Sequence, residues 1–122
     1  MVSTVTERQA HDGLELIDVE MIGDSTDCVL RMHLGASKRN DIDAKTLIAI
    51  RHLELLLAED LGADDDDVVR GMYRQAYRLL ELAKRPTSES TTFAAFFYLR
   101  DVATLTRRLL WIYAGNGGAD VR

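Results

Sequence analysis

Between residues 91 and 114 apolar side chains recur at intervals of three and four, the repeat of one helix face. Ala95, Tyr98, Val102, Leu105, Leu109 and Ile112 form one stripe, with Leu99, Ala103, Thr106, Leu110 and Tyr113 beside it. Together they predict a long helix with roughly half of its circumference apolar. The opposite arc carries Phe93, Phe97, Arg100, Thr104, Arg107, Arg108 and Trp111, polar in the middle and aromatic at both ends. One apolar face is enough to seat a helix in a monomeric bundle. The aromatics on the far side therefore predict a second contact, made either by another subunit or by the N-terminal segment of the same chain.

Two more helices follow from the same periodicity. The first is expected over residues 42–61, with Asp41 as its N-cap, Asp43 in its first turn and Gly62 as its stop. Leu47, Ile50, Leu53, Leu57 and Leu61 form its main stripe, flanked by Ala49 and Leu56, and Ile48, His52, Leu55 and Glu59 form a weaker one. The second is expected over residues 65–84, ending before Pro86. Val69, Met72, Ala76, Leu79 and Ala83 face its core, with Tyr73, Tyr77 and Leu80 beside them, while Arg70, Arg74 and Arg78 line the other side.

The N-terminal part reads differently. Ile17, Val19 and Met21 alternate with Asp18 and Glu20, and Cys28, Leu30, Met32 and Leu34 alternate with Val29, Arg31 and His33. Five turn-forming residues, GDSTD, separate the two runs. Alternation of period two around such a turn predicts a β-hairpin over residues 14–34, although residues 14–22 are also compatible with a helix. The expected architecture is thus mainly α, a three-helix core with a small N-terminal β-hairpin, oligomeric. Residues 1–13 are expected to be flexible, residues 14–114 to form the domain and residues 115–122 to form a disordered tail.

Composition narrows the function classes. A chain of 122 residues suits one domain with a real core. One cysteine, Cys28, makes neither an intrachain disulfide nor a cysteine zinc site, and a reducing compartment is its natural setting. The first residues show no signal-peptide run, and no apolar stretch approaches the roughly 20 residues that span a bilayer. A cytoplasmic protein with no membrane partner is expected. The net charge of −5 divides into −10 over residues 1–67 and +5 over residues 68–122. Such a split favours electrostatic pairing between the halves and leaves room for a basic surface.

The candidate chemistry is thin. The run of four Asp at residues 64–67 lacks the spacing and closing Glu of a calcium loop, and reads as helix capping. His52 has no partners at metal-ligand spacing, and Cys28 has neither a base nor an electropositive setting in sequence. No phosphate loop, dinucleotide fingerprint or nucleophile elbow is present. No catalytic residue, metal or cofactor is therefore expected. Phe93, Phe97, Trp111, Ile48 and Leu55 are the candidate interface residues, facing a second copy or another protein. Arg70, Arg74, Arg78, Arg107 and Arg108 are candidates for binding an anion or nucleic acid, because arginines at one-turn spacing can follow phosphates.

A run at residues 28–34, a helix ending AEDLG and a helix beginning DDDDVVRGMYRQAYRLL follow the order of a ribbon-helix-helix DNA-binding domain. The chain resembles that family over residues 28–82. The resemblance implies a strand shared across a dimer, with Val29, Arg31 and His33 facing the major groove. The expected function is a non-enzymatic interaction or assembly module acting as a homo-oligomer. A nucleic-acid-binding regulator is the alternative, and a small-molecule-responsive helical regulator the second alternative.

Overall fold

A computed structural model of the chain describes residues 17–115. It contains four α-helices: α1 (Val19–Leu30), α2 (Arg39–Leu57), α3 (Asp67–Leu80) and α4 (Thr92–Tyr113). Single 3₁₀ turns follow α1 and α3 at Leu34–Ala36 and Leu82–Lys84. No strand occurs among the described residues. The expected flexible start at residues 1–13, residues 14–16 of the first expected strand and the tail from residue 116 lie outside them.

The β-hairpin expectation is corrected here. Its turn and the flanking residues 19–22 and 28–30 form α1, which Asp18 starts by accepting a hydrogen bond from the Met21 amide at 3.0 Å. Ile22, Thr26 and Val29 are buried, four and three residues apart, so the burial has helical period. Of the alternating residues that suggested a strand, Val19, Met21 and Cys28 are exposed. The residues that read as a turn lie within this helix, where Asp24 is exposed and Thr26 is buried. The ribbon-helix-helix resemblance fails with the hairpin, because it needs a strand at residues 28–34.

Thr26 explains how a polar residue occupies the inner face. Its hydroxyl donates to the Ile22 carbonyl at 2.7 Å. Thr46 does the same to Ile42 and Thr106 to Val102, each at 2.7 Å. All three threonines are buried. A hydroxyl satisfied by the preceding turn lets the β-branched side chain pack as an apolar one.

α4 is the axis of the molecule and touches all three other helices, α2 most extensively and α1 next. Its two predicted stripes are inside: Ala95, Tyr98, Leu99, Val102, Ala103, Leu105, Thr106, Leu109 and Leu110 are all buried. Such a width needs two covering helices. α1 runs antiparallel along one side, Gly23 lying beside Leu110 and Asp27 beside Arg107. α2 supplies Ile42, Ala49, Ile50, Leu53, Leu56 and Leu57 on the other. Arg39 sets the start of α2 against the start of α4, donating to the Thr87 carbonyl at 2.7 Å and to the Ser90 carbonyl.

The bounds of two helices shift. α2 begins at Arg39, so Asp41 lies inside the first turn rather than capping it, and Asp43 pairs with Arg39 at 2.8 Å. It ends at Leu57, and Gly62 makes a later left-handed turn at φ 91° that any side chain would strain. α3 is shorter than expected and is capped by Asp66, which accepts from the amides of Val68 and Val69. Thr91 caps α4 through the Ala94 amide at 2.9 Å.

Candidate functional site

The outer arc of α4 gathers the strongest unpartnered chemistry on the described surface. Phe93 is 61% exposed, Phe97 41% and Trp111 81%. Phe93 and Phe97 lie together, ring centroids 4.7 Å apart, and Phe97 meets the edge of Phe96 at 5.2 Å. Between these rings and Trp111 runs a groove of about 660 Å³ lined by Leu30 from α1 and by Arg100, Thr104, Arg107, Arg108 and Trp111 from α4. The helix brings the α4 residues to one side because Arg100, Thr104, Arg107 or Arg108, and Trp111 follow one another at intervals of three or four.

The groove is basic. Arg107 approaches Asp27 at 3.8 Å, and both side chains are about half exposed. Among the described residues Arg100 and Arg108 form no ion pair. A cluster of three guanidinium groups beside an indole can hold carboxylates by forked hydrogen bonds and aromatic rings by stacking.

The other candidates separate. Arg70 is tied into the loop before α3, donating to the carbonyls of Ala63 at 3.1 Å and Asp64 at 2.9 Å and pairing with Asp67. It therefore braces the loop that precedes its own helix. Arg74 is exposed, and Arg78 lines a different groove with Gln75, Leu79 and Lys84. The α3 row and the α4 cluster thus do not share a groove. Ile48 is exposed on α2 beside Leu47, and Leu55 is half-buried; neither lines the α4 groove.

Residues weighed for chemistry are scattered. Cys28 is exposed on α1. His52 is buried on α2 with no hydrogen bond to its ring among the described residues, and burial holds its pKa below the ordinary value. Burial raises the phenols of Tyr98 and Tyr73, whose hydroxyls donate to the carbonyls of Leu79 and Glu59. Glu54 lines a groove with Tyr77, Glu81 and Arg85, and neither His33 nor His52 joins it. No three His, Cys, Asp or Glu side chains among the described residues are grouped to hold a metal ion.

Sequence reading missed Leu30 in this site because it assigned that residue to a strand. The signal that could have found it is the width of the apolar face on α4, which one covering helix cannot fill. No protein-family model matches the chain, and neither a curated protein nor a solved structure is similar to it. No described helix is long and apolar enough to cross a membrane.

Proposed function

We propose that this protein is an interaction module that assembles with itself through the outer face of α4. The observation that carries the reading is the exposure of Phe93, Phe97 and Trp111 on a helix whose inner face is already complete. Large aromatics with no work left in the fold are the usual anchors of protein interfaces, together with arginine.

Sedimentation equilibrium at micromolar concentration tests this. The wild type is expected to associate, and Phe97→Ser with Trp111→Ser to sediment as a folded monomer. A compact wild-type monomer sinks the reading and assigns the cover to residues 1–16, which lie outside the described structure.

A nucleic-acid role rests on Arg100, Arg107, Arg108 and Trp111, since a strand can bind by phosphate contacts and base stacking. It is the weaker reading, because the chain as a whole is acidic and Asp27 borders the groove. Salt-sensitive retention of an oligonucleotide, lost in Arg107→Glu, would favour it over self-assembly.

A further inference from the structure

The groove on the outer side of α4 has walls of three kinds. Arg100, Arg107 and Arg108 make it basic, Leu30 and Trp111 give it apolar surface, and Thr104 adds one hydroxyl. Among the described residues Arg100 and Arg108 form no ion pair, and Arg107 has only Asp27, at 3.8 Å and beyond hydrogen-bond reach. Guanidiniums gathered against a single carboxylate repel one another. An anion set among them removes that repulsion and gains forked, charge-assisted hydrogen bonds. We infer that the groove is a site for a nucleotide, its phosphates held by Arg100, Arg107 and Arg108 and its base laid against Trp111 and Leu30. The site goes beyond self-assembly and does not require it.

The charges select phosphate over carboxylate. Three guanidiniums and the one carboxylate of Asp27 leave a surplus of two positive charges at the groove. Asp101 is exposed on the neighbouring flank and does not line it. A carboxylate answers half of that surplus, whereas a phosphate ester carries about 1.5–2 negative charges at pH 7 and three acceptor oxygens. The apolar walls select a flat ring. Trp111 is largely exposed, and Arg107 and Arg108 precede it by four and three residues, so indole and guanidinium groups are neighbours on the helix. Nucleobases stack on both kinds of plane.

The extent of the site selects a small molecule over a strand. Its volume of about 660 Å³ falls in the range of small-molecule pockets, roughly 300–1,000 Å³, and exceeds what a bare phosphate fills. The arginines lie between residues 100 and 108, about 12 Å of helix. Beyond them the outer arc turns to Phe93 and Phe97 in one direction, and α4 ends at Tyr113 in the other. A strand would leave the cations after a few phosphates. The rest of its charge would then meet a chain of net charge −5.

Trp111 is the only tryptophan of the chain, so its fluorescence reports on this groove. The full-length protein is titrated with ATP, adenosine, inorganic tripolyphosphate and a single-stranded oligonucleotide, with calorimetry as a second readout. ATP is expected to quench saturably with a Kd of about 1 mM or tighter. Adenosine lacks the charge and tripolyphosphate the ring, so each is expected to bind at least about tenfold more weakly. Arg108→Gln should weaken ATP binding by about ten- to hundredfold, the loss of one charge-assisted hydrogen bond. Arg74→Gln, exposed on α3 and outside the groove, should leave it unchanged. Asp27→Asn removes the opposing carboxylate and should tighten it. No saturable response to ATP at about 10 mM, or an equal loss in Arg74→Gln and Arg108→Gln, would overturn the inference. Tripolyphosphate matching ATP would overturn it by leaving an unselective basic patch. An oligonucleotide that binds more tightly than ATP at physiological salt would overturn it by giving the groove to a strand. Self-assembly is read separately, by sedimentation without nucleotide.

Discussion

Along α4, Leu99, Val102 and Leu109 are fully enclosed, while Phe93, Phe97 and Trp111 of the same helix face solvent. Both faces are rich in large apolar groups, so hydrophobicity alone does not separate them. The difference lies in what surrounds each. The inner face is flanked by further apolar positions and meets α1 and α2. The outer face is interrupted by Arg100, Arg107 and Arg108, which α1 borders only along one edge through Asp27 and Leu30. The inner face is packed within the fold, and the outer face is exposed. The two should therefore respond differently to substitution.

The largest effect is expected inside. Leu99→Ala or Leu109→Ala removes a fully buried side chain at the junction of helices. Each should destabilise the fold by about 2–5 kcal/mol, the usual range for a core leucine. Urea unfolding at matched concentration measures it. A loss under about 1 kcal/mol at both sites would mean that α4 is not the packed axis described.

Acid probes the inside in a second way. His52 is enclosed on α2 with a pKa lowered by burial. The unfolded chain titrates near the ordinary value of about 6.5, so the unfolded state binds the proton first as pH falls. The contribution of His52 to stability is thus complete above that value. It declines as pH drops from there through the folded pKa, at up to about 1.4 kcal/mol per pH unit. His52→Leu should flatten the dependence of stability on pH between about 6.5 and 5.5, above the range where most carboxylates titrate. An unchanged slope would show that the ring is hydrated in the folded protein.

The same contrast accounts for what the sequence made legible. Both stripes of α4 and most of the inner face of α3 are where periodicity placed them, because those segments have a wide or strongly one-sided apolar pattern. α2 was harder. Leu47 was assigned to its core and is 72% exposed, while Thr46 next to it is buried. A hydrophobic count cannot see that a threonine bonded to its own helix outcompetes a leucine for the inner face when helix phase demands it. α1 was misread for a related reason. Its inward positions, Ile22, Thr26 and Val29, include one polar residue, and its outward apolar residues happen to alternate. The aromatic and arginine residues of the outer arc on α4 were visible from periodicity, but the groove needs Leu30 from a neighbouring helix, which no local pattern specifies.

Replacing a back-bonded threonine tests that explanation and should have a small effect. Thr106→Val keeps the buried shape and deletes the hydroxyl that donates to Val102. The carbonyl it leaves sits within a continuous helix. A change within about 1 kcal/mol in either direction is expected, the usual net worth of one such hydrogen bond. A loss of several kcal/mol in thermal or urea unfolding would mean that the hydroxyl has a further buried partner.

The smallest effect on folding is expected where the side chain is largest. Trp111 is the only tryptophan of the chain and is 81% exposed. Trp111→Ser removes almost nothing from the monomer's core. Unfolding measured by circular dichroism, at a dilution where the wild type is monomeric, should change by no more than about 0.5 kcal/mol, as for other surface substitutions. At higher concentration the variants should part. Association stabilises whichever form assembles, so the wild-type midpoint should rise with concentration and that of Trp111→Ser should not. Equal concentration dependence in both would mean that the tryptophan end of α4 takes no part in assembly. A large loss already present in the dilute monomer would mean instead that Trp111 packs within its own chain, and the distinction between the two faces would fail.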